Sequence, residues 1–264
     1  MTKNTLFTIA VIPAVLLGWW VINGFQYNVP NDSQSDIVDN ETPAVSRLAT
    51  ATPVKTPVAT AKPTAAPATD GQVLLNVPFM AQAPTGNWSD PRQQDGCEEA
   101  SVLMAMHWVN GTSPGTAAQA EQAIIAMADW EEEQYGNYHD TNARDTVERL
   151  FKGYSRYSQA VARYGITVED IKAELTAGKL VIVPANGRML GNPNYTPPGP
   201  LYHMLVVKGY DPKTNQFITN DPGTRKGAGY RYTAATLFNA INDYPTGNHL
   251  PITTTTKAMI VVSR

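Results

Sequence analysis

The stretch "QQDGCEEASVLMAMHWV", residues 93–109, turns from polar loop to apolar, helix-prone sequence at Cys97, the only cysteine of the chain. Asp95 and Gly96 mark a turn, and a helix is predicted from the cysteine onward. Val102, Leu103, Met106 and Val109 recur at three- and four-residue steps, which predicts a buried stripe. Cys97 then stands at or near the first helical position. The unpaired amides of a first turn and the positive end of the dipole stabilise an anion there. A free thiol titrates near ~8.5, and a helix N-terminus with a histidine partner lowers that by several units. Glu98 and Glu99 complement the dipole too, but they oppose a thiolate unless they point to solvent.

Outward from this helix, "GTAAQAEQAIIAMADWEEEQYG", "TNARDTVERLF" and "TVEDIKAELTAG" read as three more helices. Thr141 or Asn142 caps the second of these, Thr167 caps the third, and Gly178 stops it. The run "DWEEEQYG" reads as a solvated helix face. The character then changes. "KLVIVPAN", "YHMLVVKGYD", "QFITND" and "KAMIVVSR" are short β-branched runs bounded by Gly, Pro and Asn, as strands are. "VLLNVPFM" opens the domain with a strand, and "TAATLFNAIND" is a late helix. Helices first and strands later predict an α+β fold with an antiparallel sheet.

Two segments precede this domain. Residues 5–25, "TLFTIAVIPAVLLGWWVINGF", have about the ~20 apolar residues that cross a bilayer as a helix. Trp19 and Trp20 suit its outer interface, and no small-x-small cleavage pattern follows, which favours an anchor over a signal peptide. Lys3 precedes the span and acidic residues follow it, so everything downstream is expected outside the plasma membrane, the N-terminus staying cytoplasmic. Residues 26–72 are rich in Pro, Thr and Ala without periodicity. They read as a disordered, extended tether reaching on the order of 100 Å. The folded domain is expected over residues 73–264.

The totals narrow the classes. A chain of 264 residues with a formal net charge of −3 gives no reason to propose a nucleic-acid partner. One cysteine excludes an internal disulfide and a multi-cysteine metal knot. "YHD" at 138–140 lacks a spaced second ligand set, and no cofactor is implied.

A thiol nucleophile needs a base. His107 lies ten residues along the same helix, about 15 Å away, and cannot reach. His139 and His249 lie in polar, loop-like sequence. His203 begins a strand-like run directly after the loop "GNPNYTPPGP", which fixes it in place. The turn "YDPKTNQ" predicts a β-hairpin over residues 202–221. Its open end brings His203 beside Asn220 and Asp221. Adjacent residues face opposite sides of a strand, so one of the two orients the imidazole, and the carboxylate of Asp221 is favoured.

The runs "NVPFMAQAP", "GCEEASVLMAMHW", "HMLVVKGYD" and "NDPGT", in this order and spacing, resemble the C-39-like cysteine peptidases. These are papain-like enzymes related to the peptidases that remove double-glycine leaders. The resemblance spans the domain from about residue 74. It implies a papain-like α+β fold, its N-terminal helical half packed on an antiparallel β-sheet. It also implies Cys97 as nucleophile, His203 as general base and then acid, and Asp221 as orienting group. An upstream glutamine donates to the oxyanion in that family. Gln82 best matches its context, with Gln93 and Gln94 open because the gap to Cys97 is longer here. Where the family often has glycine after the cysteine, this chain has Glu98. The function so implied is a membrane-tethered cysteine peptidase acting on a peptide or protein substrate. A non-catalytic peptide- or wall-binding module and a thiol acyl- or peptidyl transferase are the alternatives.

Overall fold

The structure, a computed structural model, describes residues 71–264. The expected anchor and most of the expected tether lie outside those residues. Among the described residues no helix is long and apolar enough to cross a membrane.

After a two-residue strand β1, Val73–Leu74, come four helical pieces. A short helix α1, Pro91–Gln94, has Pro at its start and Asp90 as its cap, the Asp90 side chain accepting from the Arg92 amide. Then come α2, Cys97–Asn110, and α3, Ala117–Tyr135. Thr116 and Gln119 form a reciprocal capping box at the start of α3. Asn142, rather than Thr141, caps α4, Ala143–Asp145, which continues as a π-helix over Thr146–Tyr154. After α4 the chain alternates: β2, Ala160–Tyr164; α5, Val168–Thr176; β3, Leu180–Ala185; α6, Gly187–Leu190; β4, His203–Asp211; β5, Gln216–Asn220; β6, Ala228–Thr233; α7, Ala234–Ala240; and β7, Ala258–Val262. Thr167 caps α5 as expected, and Gly178 follows its end in a left-handed conformation (φ 77°).

The seven strands, counting β1, Val73–Leu74, form one antiparallel sheet in the order β2-β7-β3-β4-β5-β6, with β1 paired to β4. The central strands β3 and β7 are buried along their whole length. The opening strand is shorter than "VLLNVPFM" suggested. Strands β2 and β6 were not legible in the sequence. Both are sheet edges with mostly exposed or half-buried residues, so neither carries a continuous apolar run.

The helical half packs on the sheet through α2, which lies against β4. Its fully buried side is Ala100, Ser101, Val102, Met104, Ala105 and Trp108, whereas Leu103, Met106 and Val109 are only half-buried. The predicted stripe is therefore rotated toward small residues, which let a helix lie close to a sheet. Ser101 Oγ donates to the Met204 carbonyl at 3.3 Å, tying the first turns of α2 to the start of β4.

Candidate active site

Cys97 is the first residue of α2, and Gly96 caps it without a side-chain bond. Glycine is required there: a Cβ on Gly96 would lie 2.6 Å from the Arg92 carbonyl oxygen. The cysteine is 4 % exposed and its thiol is free of any disulfide. His203, the first residue of β4, is also buried. Cys97, His203 and Gln82 all line one cleft of about 1020 Å³. Trp88, Gln94, Asp95, Asp140, Arg225 and Lys226 also line it, as do Tyr195 and Gly223, which lie against His203.

The hairpin forms as expected, but its register differs. Val206 pairs with Asn220, with an irregularity between Val207 and Gly209. His203 therefore lies beyond the last paired residue of β5 and instead pairs with Ala185 of β3. The two side chains still meet, because Asp221 follows β5 directly and turns inward. His203 Nε2 lies 2.9 Å from Asp221 Oδ1. With that nitrogen donating, Nδ1 carries the ring lone pair. Asn220 faces the other way, donating to the carbonyls of Val77 and Pro78 at 3.1 and 3.2 Å.

Asp221 is fully buried and ringed by donors. Besides His203, Tyr195 Oη donates at 2.5 Å, Tyr232 Oη at 2.6 Å, Asn192 Nδ2 at 3.3 Å and the Gly223 amide at 3.1 Å. Burial alone would raise its pKa, but His203 and the two phenols outweigh it and hold the carboxyl below its ordinary value. Burial and the Asp221 charge push both phenols upward, so they remain protonated donors. The Tyr195 ring also packs edge-on against His203, with centroids 5.6 Å apart. These partners were not legible in the sequence: they come from a loop and an edge strand.

The three glutamines separate. Gln82 Nε2 donates to the carbonyls of Gln93 and Gln94 at 3.1 and 2.8 Å, fixing the end of α1 just ahead of Cys97. Gln93 is buried and turned to α3, where Nε2 reaches Glu121 at 3.1 Å, and it does not line the cleft. Gln94 does line it.

Glu98 and Glu99 do not point to solvent: they are 2 % and 0 % exposed. Cys97 Sγ donates to Glu98 Oε2 at 3.0 Å, while Tyr244 Oη and the Thr141 amide donate to Oε1 at 2.7 and 3.2 Å. Burial first, then the adjacent Glu98 carboxylate, pushes the Cys97 thiol well up; the Met204 backbone works weakly the other way. Behind them Glu131 is buried too, which corrects the expectation that "DWEEEQYG" is wholly solvated. Neither Glu99 nor Glu131 has a hydrogen-bond donor among the described residues. Burial raises both; the neighbouring Glu131 and then Glu98 push Glu99 further up, and Glu98 pushes Glu131, to about 9.

A comparison with curated proteins finds no match. Among solved structures, this chain is similar to a "putative C39-like peptidase" from Bacillus anthracis, at 18 % identity and a TM-score of 0.46, over 73 % of this chain and 98 % of that one. A family model, described as the Peptidase_C39 like family, matches residues 74–246, which include Gln82, Cys97, His203 and Asp221. By that match over most of its length, the chain belongs to the Peptidase_C39 like family.

Proposed function

We propose that the protein is a thiol peptidase in which Cys97 is the nucleophile, His203 the base and Asp221 the group that orients the base. The observation that carries this reading is the His203–Asp221 bond of 2.9 Å on an imidazole that shares its cleft with Cys97. With Nε2 directed at Asp221, the basic nitrogen is Nδ1.

In this reading His203 takes the Cys97 proton as sulfur attacks the peptide carbonyl. A tetrahedral oxyanion forms, and the C–N bond breaks as His203 protonates the leaving amine. His203 then deprotonates a water that attacks the thioester, and the thiol leaves with the proton. The Cys97 amide at the helix N-terminus and Gln82 are the proposed oxyanion donors. Gln82 lines the cleft, but its two Nε2 protons go to the carbonyls of Gln93 and Gln94, so it must release one of them to serve the oxyanion. Residues 5–25 as an uncleaved anchor and 26–72 as its tether would hold the domain outside the membrane.

The test is digestion of a mixed peptide library by the full chain, followed by mass spectrometry. Cleavage products that vanish in Cys97→Ala and in His203→Ala are expected. A folded wild-type chain that cuts nothing, or a Cys97→Ala chain that cuts equally well, would overturn the reading. An added amine nucleophile should give little aminolysis; aminolysis without hydrolysis points to a transferase instead.

A further inference from the structure

We infer that Glu98 is a positioning residue that latches the nucleophile: its buried carboxylate holds the Cys97 thiol protonated, and the thiol becomes reactive when that carboxylate takes up a proton. This rests on the reading of Cys97 as the nucleophile and His203 as its base. It explains what a carboxylate is doing directly behind the attacking sulfur.

Three geometric facts carry it. The thiol donates to Glu98 Oε2 at 3.0 Å, and both groups are buried, so solvent screens little of their interaction. Glu98 is not itself among the cleft residues, so it acts on the sulfur from behind and leaves the cleft to substrate. Its other oxygen is fixed by Tyr244 Oη and the Thr141 amide, which aim the carboxylate and favour its charged form against the burial that raises its pKa. A thiolate 3.0 Å from that charge is strongly disfavoured. A neutral Glu98 removes the repulsion and offers the sulfur a donor, and proton transfer from Cys97 to His203 then becomes feasible.

The titratable groups around the latch come from every packed element. They are Asp95 ahead of α2, Glu99 on α2, Glu131 on α3, Asp140 ahead of α4 and Tyr244 after α7, with His203 at the start of β4 sharing the cleft with Cys97. Asp140, pushed by burial and Glu98 to about 8, also bears on the thiol, so it needs a control. Tyr244 in turn packs edge-on against Tyr202 of the cleft, with ring centroids 5.5 Å apart, which places the latch in contact with a wall that substrate would touch.

The experiment is the pH profile of Cys97 alkylation by iodoacetamide, followed by intact mass, in the full chain. The wild type should show an acid-side reactive limb that falls as Glu98 ionises, then a rise at alkaline pH as the thiol itself ionises. Glu98→Gln should lose the fall and label about tenfold faster near neutral pH. Tyr244→Phe weakens the hold on the carboxylate and should move the fall to higher pH. Glu98→Asp should restore part of it, and Asp140→Asn should shift it less than Glu98→Gln does. A wild-type profile with no fall, or Glu98→Gln labelling as slowly as wild type or slower, overturns the latch. A larger shift in Asp140→Asn than in Glu98→Gln overturns it too. If Glu98→Gln does not fold, the wild-type and Tyr244→Phe profiles decide. His203→Ala separates this inference from the reading beneath it: if that variant labels like wild type at every pH, the base is misassigned, whatever Glu98 does.

Discussion

Asp221 and the Glu99–Glu131 pair are equally buried, yet they solve burial in opposite ways. Asp221 has donors from Tyr195, Tyr232, Asn192, His203 and the Gly223 amide, and its carboxyl stays ionised below the ordinary range. Glu99 and Glu131 have none among the described residues, and their values rise. The charge of a buried acid is therefore set by its donors rather than by its depth. Glu98 lies between these extremes, with a phenol, an amide and the Cys97 thiol as donors, and its value is raised by burial and pulled back by them. The acid beside His203 is thus built to keep a charge, and the pair behind Cys97 to give it up.

The largest expected effect comes from removing the charge on the donor-rich side. Asp221→Asn keeps the shape but invites the opposite imidazole tautomer, and kcat should fall by about a thousandfold or more. Steady-state kinetics on a peptide found by library screening measures it; a loss of less than tenfold would break the comparison on this side.

Glu131→Gln tests the donor-poor side. The folded value of Glu131 is about 9, above the ordinary 4.5, so the native state holds a proton that the unfolded chain has released. Its contribution is fully present below pH 4.5 and is lost as pH rises toward 9. Wild-type stability should therefore fall from mildly acidic to alkaline pH. The variant should be more stable than wild type by on the order of 4–5 kcal/mol at pH 8 and by less than about 1 kcal/mol at pH 5. Urea unfolding at the two values measures this, and an equal gain at both would show that charge is not the cause.

Tyr232→Phe removes one donor of Asp221 and leaves the others. A loss of about 1–1.5 kcal/mol is expected, since a buried carboxylate loses one of several bonds. The cost should grow above the Asp221 pKa and vanish once that carboxyl is protonated. Gly223→Ala is the mildest change. Its Cβ would sit 3.0 Å from both the His203 and Tyr195 rings and 3.4 Å from Asp221 Oδ1. The imidazole must shift by a few tenths of an ångström, and kcat should drop severalfold with little change in stability.

How much of this was legible in the sequence follows the same division. The α2 start was readable from Asp95 and Gly96, because turn chemistry and apolar spacing agree there. His203 and Asp221 were readable from the hairpin, although the register was off. The pair meets through the inward turn after β5 and not through direct cross-strand pairing. The ring of donors around Asp221 was not readable, since Asn192 and Tyr195 reach it from an irregular loop and Tyr232 from an edge strand. The run "DWEEEQYG" was misread for a different reason: it looks like exposed helix surface, and only the packing of the helices against one another buries Glu131. Pattern reading assigns charged residues to water because burying them unpaired is costly. It fails where a fold keeps them protonated or bonded.

The claim on which the account turns is that Cys97 is a nucleophile activated by His203. Alkylation of the folded full chain by iodoacetamide at about pH 6, with the modified peptide located by mass spectrometry, tests it most directly. Free cysteine is almost wholly protonated there. The account predicts that Cys97 reacts faster than free cysteine and that His203→Ala removes the advantage. A Cys97 that stays unmodified until the protein is denatured, or that reacts alike with and without His203, would contradict it.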